Sequence, residues 1–191
     1  MAENKVQFNL KNVHYAILTE SNEGGKVSYS WATPVPVPGA VTLTLDPAGD
    51  VTPFYADGVI YYKSISNQGY SGSLEMARFP DQMLQDVWGF KKGETSKVLT
   101  ENANVNPKDF ALLYQIDGDA GNQYYALYNC AGTRPGVGST TATATKEPQT
   151  QSSDITAAAL LDGRVMTRTT ADTPDDIKSA WFSAVYEDKA G

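Results

Sequence analysis

Cysteine and histidine are almost missing from this chain, with one of each, Cys130 and His14, in 191 residues. A lone cysteine excludes an intramolecular disulfide and any cysteine-based zinc cluster. A lone histidine leaves no second imidazole to share a metal, and a Ser–His or Cys–His pair would have to use His14. Long apolar runs are missing too. The longest, such as residues 157–161, fall far short of the ~20 that a membrane helix requires. No apolar run follows Met1-Ala2-Glu3-Asn4-Lys5, so no secretory signal is expected. Basic residues are outnumbered, 15 against 22 acidic, and the net charge of −7 disfavours tight binding to nucleic acid. These absences leave a soluble, reduced, cytoplasmic protein, one domain long and large enough to fold on a hydrophobic core without a staple.

What is present is alternation of period two, the pattern of strands with one buried face. Val6, Phe8 and Leu10 alternate with Gln7 and Asn9, and Val13, Tyr15 and Ile17 resume the pattern after a break at Lys11-Asn12. Val27, Tyr29 and Trp31 form a second run, Val41, Leu43 and Leu45 a third, and Tyr70, Gly72, Leu74 and Met76 a fourth. Residues 110–116 and 124–130 flank Asp117-Gly118-Asp119-Ala120-Gly121-Asn122, whose residues tolerate positive φ, so the pair is expected to be a hairpin. Residues 155–161 and 164–169 flank Asp162-Gly163, which predicts another hairpin. About nine or ten strands follow from this count.

Two helices interrupt the strands. The first is expected over residues 80–88, opening with Pro80-Asp81, presenting Met83, Leu84, Val87 and Trp88, and stopping at Gly89. The second has Thr173 as its expected cap, Pro174 at its first position and a stripe of Ile177, Ala180, Trp181, Ala184 and Val185, with Trp181 plugging it onto a sheet. Residues 91–108 carry Lys91, Lys92, Lys97 and Lys108 and are expected to be a solvated loop. Residues 46–69 are too long for an ordinary connection and are rich in apolar side chains: Phe54, Tyr55, Val59, Ile60, Tyr61 and Tyr62. As a hairpin of about twelve residues a side, they would form an arm of about 40 Å with aromatics exposed unless a partner covers them. The alternative is two further strands within the domain.

The candidate chemistry is sparse. The segment from Asp117 to Asn122 resembles a calcium loop superficially, but Gly121 and Tyr128 stand where an oxygen ligand and a bidentate Glu are needed. Gly132-Thr133-Arg134-Pro135-Gly136-Val137-Gly138 lacks the Gly-Lys-Ser/Thr of a phosphate-cradling loop. His14 is expected to be a hydrogen-bonded structural residue, Cys130 a small buried hydrophobe, and Asp175-Asp176 the acidic start of a helix. No cofactor, no metal and no active site are expected. The run Ser139-Thr140-Thr141-Ala142-Thr143-Ala144-Thr145 suits either a mobile surface loop or a polar edge strand completed by another subunit.

Several segments, in order, resemble the major tail protein of long-tailed bacteriophages, the subunit of the tail tube. They are Leu10-Lys11-Asn12-Val13-His14-Tyr15-Ala16, Pro38-Gly39-Ala40-Val41, Leu45-Asp46-Pro47, Phe54-Tyr55-Ala56-Asp57 and Tyr61-Tyr62. The most specific is Asn67-Gln68-Gly69-Tyr70-Ser71-Gly72-Ser73-Leu74-Glu75. Phe110-Ala111-Leu112-Leu113, Tyr128-Asn129-Cys130, Pro148-Gln149-Thr150, Asp162-Gly163-Arg164-Val165 and Trp181-Phe182 extend the likeness over nearly the whole chain.

The resemblance implies a mainly β fold, an antiparallel β-sandwich or partial barrel with one or two flanking helices and a long hairpin arm, as one domain over residues 1–191. It implies a structural virion protein of the tail, assembled in the host cytoplasm, and no enzyme. Six copies would close into a ring and rings would stack into a hollow tube, with other tail proteins at its ends and DNA as transient, non-specific cargo. Residues 46–69 would be the arm between subunits or rings, with Phe54, Tyr55, Ile60, Tyr61 and Tyr62 as its contacts. Thr42, Thr44, Ser73 and Glu75 are the candidates for the wall of the bore, with the outer surface of the domain as the alternative. No membrane partner is implied. Two other functions compete. A monomeric carbohydrate-binding module would place Tyr55, Tyr61 and Tyr62 on one platform, and a hydrolase using Asp or Glu has no residue-level support.

Overall fold

The computed structural model describes residues 3–141 and 147–188. Its elements are β1 (Gln7–Glu23), β2 (Lys26–Trp31), β3 (Val35–Pro36), β4 (Ala40–Pro47), β5 (Val51–Ala56), β6 (Val59–Ile65), β7 (Tyr70–Met76), α1 (Asp81–Asp86), β8 (Lys91–Lys92), β9 (Leu99–Thr100), β10 (Phe110–Gly118), β11 (Gln123–Gly132), β12 (Gln151–Ala157), β13 (Met166–Arg168) and α2 (Asp175–Ala180). One antiparallel sheet runs β2-β1-β10-β11-β12-β7-β4, with β3 paired to β1 and β13 to β11, while β5–β6 and β8–β9 are separate two-stranded pairs. The expected fold class is what the structure shows: mainly antiparallel β with two short helices, and no closed barrel.

Alternation decides how the sheet bends. Val13 and Tyr15 of β1, Phe110, Leu112 and Tyr114 of β10, Leu127 of β11, Ile155 of β12, and Leu74 and Met76 of β7 all enter a single buried core. Leu43 and Leu45 of β4 pack against the same cluster. A flat sheet cannot bring the inner faces of strands so far apart in pairing order into one cluster, so the sheet curls around it. α1 adds Met83, and the residues after it add Val87 and Trp88. On the opposite face, Ala16, Ala111 and Ala126 make a low platform on which Trp181 sits, beside Leu113. β10 and β11 are therefore covered on both sides.

All three tryptophans donate their indole N–H to backbone carbonyls of β11: Trp181 to Tyr125 at 3.3 Å, Trp31 to Tyr128 at 2.9 Å and Trp88 to Gly132 at 2.9 Å. A buried indole without a partner would be costly, and a bulged strand leaves carbonyls free to receive it. Here the β10–β11 register shifts between Phe110 and Leu112. Tyr15 ties β1 to α1 through a 2.7 Å bond from its hydroxyl to Asp86.

Several local expectations need correction. The break at Lys11-Asn12 is a bulge within one long strand, with Asn12 at φ 50°. Asp162-Gly163 closes a tight turn, with the Leu160 N–H on Arg164 O and the Gly163 N–H on Leu160 O, both at 2.9 Å, but β12 and β13 do not pair with each other. β12 ends at Ala157, and β12 and β13 both pair with β11, at Cys130–Gly132 and Tyr125–Leu127 respectively. Gly163 has positive φ, but Asp162 is not among the positive-φ residues, so the two-residue turn that matches strand twist does not form. The segment between them leaves and rejoins the same edge of β11. Thr173 does not cap α2: its hydroxyl accepts the Thr170 N–H at 2.9 Å, and Pro174, with ψ 145°, lies outside the helix. Residues 91–108 contain the short β8–β9 pair. Most of the run 139–145 lies outside the described residues.

Burial also sets a pH dependence. It is the main cause that raises the Tyr15 and Tyr114 hydroxyls above their ordinary 10.0 and pushes the Cys130 thiol from 9.0 up to about 12. Folding thus favours the protonated forms. Their contribution is complete below the unfolded values and is lost as pH rises from those values through the folded ones. The expected result is a urea midpoint that falls between about pH 8 and 10.5, and an unchanged midpoint would contradict the burial of these groups.

Candidate functional site

Residues 46–69 form a hairpin that continues the β4–β7 ribbon away from the sheet. Pro47 pairs with Tyr70 at the end of that ribbon. Ala48 then donates to Gly69 O at 2.8 Å, Gln68 to Ala48 O at 2.8 Å and Ser66 to Asp50 O at 3.0 Å, after which Val51 pairs with Ile65 and β5–β6 begins. The tip is Asp57-Gly58, with φ 52° and 77°. Two successive positive φ values are what a type I′ turn requires, so the dipeptide matches the right-handed twist of the strands it joins. From Ala48 to the tip the arm spans about ten residues a side, roughly 30 Å, shorter than the whole segment suggests because its base belongs to β4 and β7.

Two glycines set the arm's exit. Gly69 stands at φ +90°, and a Cβ there would lie 1.9 Å from Ala157 O; Gly49, at φ +146°, would bring a Cβ to 2.1 Å from Ser66 O. Only a residue without a side chain permits both the conformation and the close approach.

Along the arm, every residue of β6 is exposed, and so is every residue of β5 except half-buried Ala56. Tyr61 is 74% and Ile65 77% exposed. None of these side chains belongs to either hydrophobic core. Phe54 pairs with Tyr62, and Tyr55 with Ile60, with a register shift between them that leaves Tyr61 as the extra residue of a bulge. The five expected contact residues are therefore together on one ribbon. The register also puts Tyr62 and Tyr55 on opposite faces, so the three tyrosines do not form the single platform a sugar-binding reading needs.

The four candidate bore residues also come together. Thr42 pairs with Glu75, and Thr44 with Ser73. β12, paired on the other side of β7, extends the rows: Thr42–Glu75–Ser152, Thr44–Ser73–Asp154 and Asp46–Ser71–Thr156. This face, opposite Leu43, Leu74 and Ile155, is lined by the hydroxyls and carboxylates of these three rows and by no cation of β4, β7 or β12, with exposed Val41, the extra residue of the β4 bulge, beside Thr42. Thr150 donates to Glu75 at 2.5 Å. Ser71 follows from the alternation that also places Ser73 and Glu75, whereas Ser152, Asp154 and Thr156 escape sequence reasoning because their membership depends on β12 lying beside β7, a pairing across about eighty residues of chain. Their polar alternation with Ser153 and Ile155 is the only local signal.

The remaining candidates are structural. His14 Nδ1 donates to the Asn12 carbonyl at 2.8 Å, and the ring stacks on Phe182 at 4.5 Å. Asp119 accepts the Lys5 N–H at 2.8 Å, and Asn4 accepts the Ala120 and Gly121 N–H groups at 2.9 Å, so the turn from Asp117 to Asn122 is closed by the chain's own N-terminal segment. Backbone N–H groups, that of Lys5 foremost and that of Val6 next, hold the Asp119 carboxyl below its ordinary value. Among the described residues no group of three or more His, Cys, Asp or Glu could hold a metal. A cleft of about 410 Å³ beside this turn is lined by Tyr124, Arg168 and Lys178, with Glu3 as its one carboxylate.

Comparison with protein-family profiles and with curated proteins yields no match. Among solved structures, the tube-terminating cap of the anti-feeding prophage, seen by cryo-electron microscopy, is similar at 16% identity and a TM-score of 0.44. The match covers 89% of this chain and 97% of that one. A likeness of this degree assigns no role to the present chain.

Proposed function

We propose that this protein is a structural subunit of a phage tail, one that self-assembles into stacked hexameric rings forming the tube through which DNA leaves the capsid. The observation that carries this reading is the apolar arm. The chain builds a ribbon with Phe54, Tyr55, Ile60, Tyr61 and Tyr62 and leaves it uncovered, and contiguous exposed apolar surface of this kind marks an association site. The segments shared with major tail proteins, Phe54-Tyr55-Ala56-Asp57 and Asn67 to Glu75 among them, belong to this arm and the ribbon that launches it. The unpaired edges of β2 and β4 are a second incentive to associate, and closing a ring satisfies such edges.

The polar face fits the bore. A ring of six copies carries 6 × −7 = −42 formal charges. A wall of carboxylates and hydroxyls offers phosphates no cation to hold, whereas basic contacts repeated along a tube would retard the genome. DNA is then transient cargo, other tail proteins contact the tube ends, and the virion tail is the protein's location after assembly in the host cytoplasm.

Negative-stain microscopy of the purified, concentrated protein tests the reading: rings and tubes are expected, and particles that stay monomeric at every concentration and salt would overturn it. The same tubes test the bore. Thr44→Cys should react with a bulky maleimide in the monomer and be protected in the tube, and equal labelling of both would remove Thr44 from the wall.

A further inference from the structure

The cleft beside the turn from Asp117 to Asn122 serves neither the arm nor the polar face, and hydrogen bonds fix both its walls. On one side, Asn4 Oδ1 accepts the Ala120 and Gly121 N–H groups at 2.9 Å and its Nδ2 donates to Gly121 O at 2.8 Å, which pins the N-terminal segment to the turn. On the other, buried Thr169 donates its N–H to Tyr124 O at 2.9 Å and accepts the Tyr124 N–H on its hydroxyl at 3.0 Å. The end of β13 is thereby closed onto the start of β11. The Tyr124 ring is held in turn by contacts with Trp181 and Phe182. The space of about 410 Å³ is of the size that small-molecule sites have, and Arg168 of β13 and Lys178 of α2 both line it.

These cations stand out in a chain where acidic residues outnumber basic ones by 22 to 15. Three of its four arginines hold a carboxylate of the same chain: Arg78 holds Asp81, Arg134 holds Glu101, and Arg164 holds Asp162 and Glu187. Arg168 has no carboxylate within ion-pair distance among the described residues. Lys178, with only 17% of its side chain exposed, donates to Ala171 O at 3.3 Å and stands 3.8 Å from the exposed Asp175 carboxylate, which leaves it a third N–H. Gln123, also in the lining, accepts Gln7 Nε2 at 3.1 Å and the Tyr125 hydroxyl at 3.0 Å on its Oε1, so its Nε2 is oriented as a further donor. We infer that this cleft binds a compact oxyanion, a phosphate or carboxylate group, with Arg168 bonding two oxygens through its planar fork and Lys178 supplying a second charge. A neutral ligand would displace water from both cations and answer neither. A nucleic acid would need a track of positive charge, whereas here Glu3 lines the same cleft and Asp175 stands beside Lys178. An anion held at this point ties the N-terminal segment, β11 and α2 to one another.

Titration calorimetry and thermal melting of the full-length protein test this, with inorganic phosphate and citrate as probes and sodium chloride at matched ionic strength as the reference. Saturable heat and a melting temperature above the reference are expected with at least one probe, and which one responds distinguishes a phosphate from a carboxylate ligand. Arg168→Gln and Lys178→Gln should each weaken binding by about tenfold or more, since each removes charge-assisted hydrogen bonds. Glu3→Gln should strengthen it roughly two- to fivefold, a gain that damage to the fold would not produce. No saturable heat with either probe, melting temperatures that follow ionic strength alone, or undiminished affinity in Arg168→Gln would overturn the site. So would a DNA oligonucleotide that binds through Arg168 and Lys178 where phosphate and citrate do not. None of these readouts depends on assembly, so their failure leaves the tube reading standing.

Discussion

Deleting residues 50–66 and bridging the gap with a short glycine linker leaves a folded monomer that no longer assembles. The expectation follows from where the arm's interactions lie. Within the chain, β5 and β6 form a two-stranded sheet of their own, and the main sheet ends at Pro47–Tyr70 before the arm begins. The deletion removes exposed apolar surface and leaves β4, β7 and β12 in register. Removing large exposed apolar area also does not lower stability through the hydrophobic term, since that area is not buried in the folded monomer. The melting temperature should stay within a few degrees of the parent, because a shift of about 4 °C corresponds to roughly 1–2 kcal/mol in a domain of this size. Sedimentation velocity should show monomer under conditions where the parent forms large particles. A deletion variant that unfolds would make the arm part of the domain's core, and one that still forms tubes would leave the arm without an assembly role.

Gly69→Ala should destabilise the subunit by about 2–4 kcal/mol, from the positive-φ penalty together with an overpacking penalty. The new Cβ would stand 1.9 Å from the Ala157 carbonyl oxygen, and the groups it meets are backbone, which cannot rotate aside. Gly58→Ala is the matched control. Gly58 also has positive φ, +77°, but nothing lies within 4 Å of its would-be Cβ, so its cost should be about 1 kcal/mol. Urea midpoints of the two variants separate the steric part from the conformational part. Equal midpoints would mean that β12 moves away from Gly69 without loss, and that the arm's exit is not locked. Because Ala157 pairs with Tyr70, that movement would also disturb the row of polar residues between β7 and β12.

How legible all this was in the sequence depends on how local each signal is. The strands around Val13, Leu43, Leu74 and Leu112 follow from alternation, because a side-chain period of two is a property of the strand itself. The platform under Trp181 follows in part, since a helical stripe that includes a tryptophan announces a partner surface without naming Ala16, Ala111 and Ala126 as that surface. Of the three Asp-Gly dipeptides, Asp57-Gly58 and Asp162-Gly163 are the instructive pair. At Asp57-Gly58 both residues take positive φ and a hairpin forms, while at Asp162-Gly163 only Leu160 and Arg164 bond across the turn, and β12 and β13 pair with the edge of β11 instead of with each other. The dipeptide permits the turn, and the competition for hydrogen-bonding edges decides it.

The amino-acid sequence by itself determined that this is an antiparallel β protein with little catalytic equipment, a surplus of negative charge and one apolar segment too long to be a connection. Tertiary structure alone decided that this segment leaves the sheet uncovered, that apolar side chains point from both its faces, and that Glu75, Asp154 and Asp46 share one polar surface. The reason is that composition and periodicity act through neighbours in the chain, whereas exposure and the grouping of charges depend on which distant strands become neighbours in the sheet. β12 reaches β7, and β11 takes β13, through hydrogen bonds that any backbone can make.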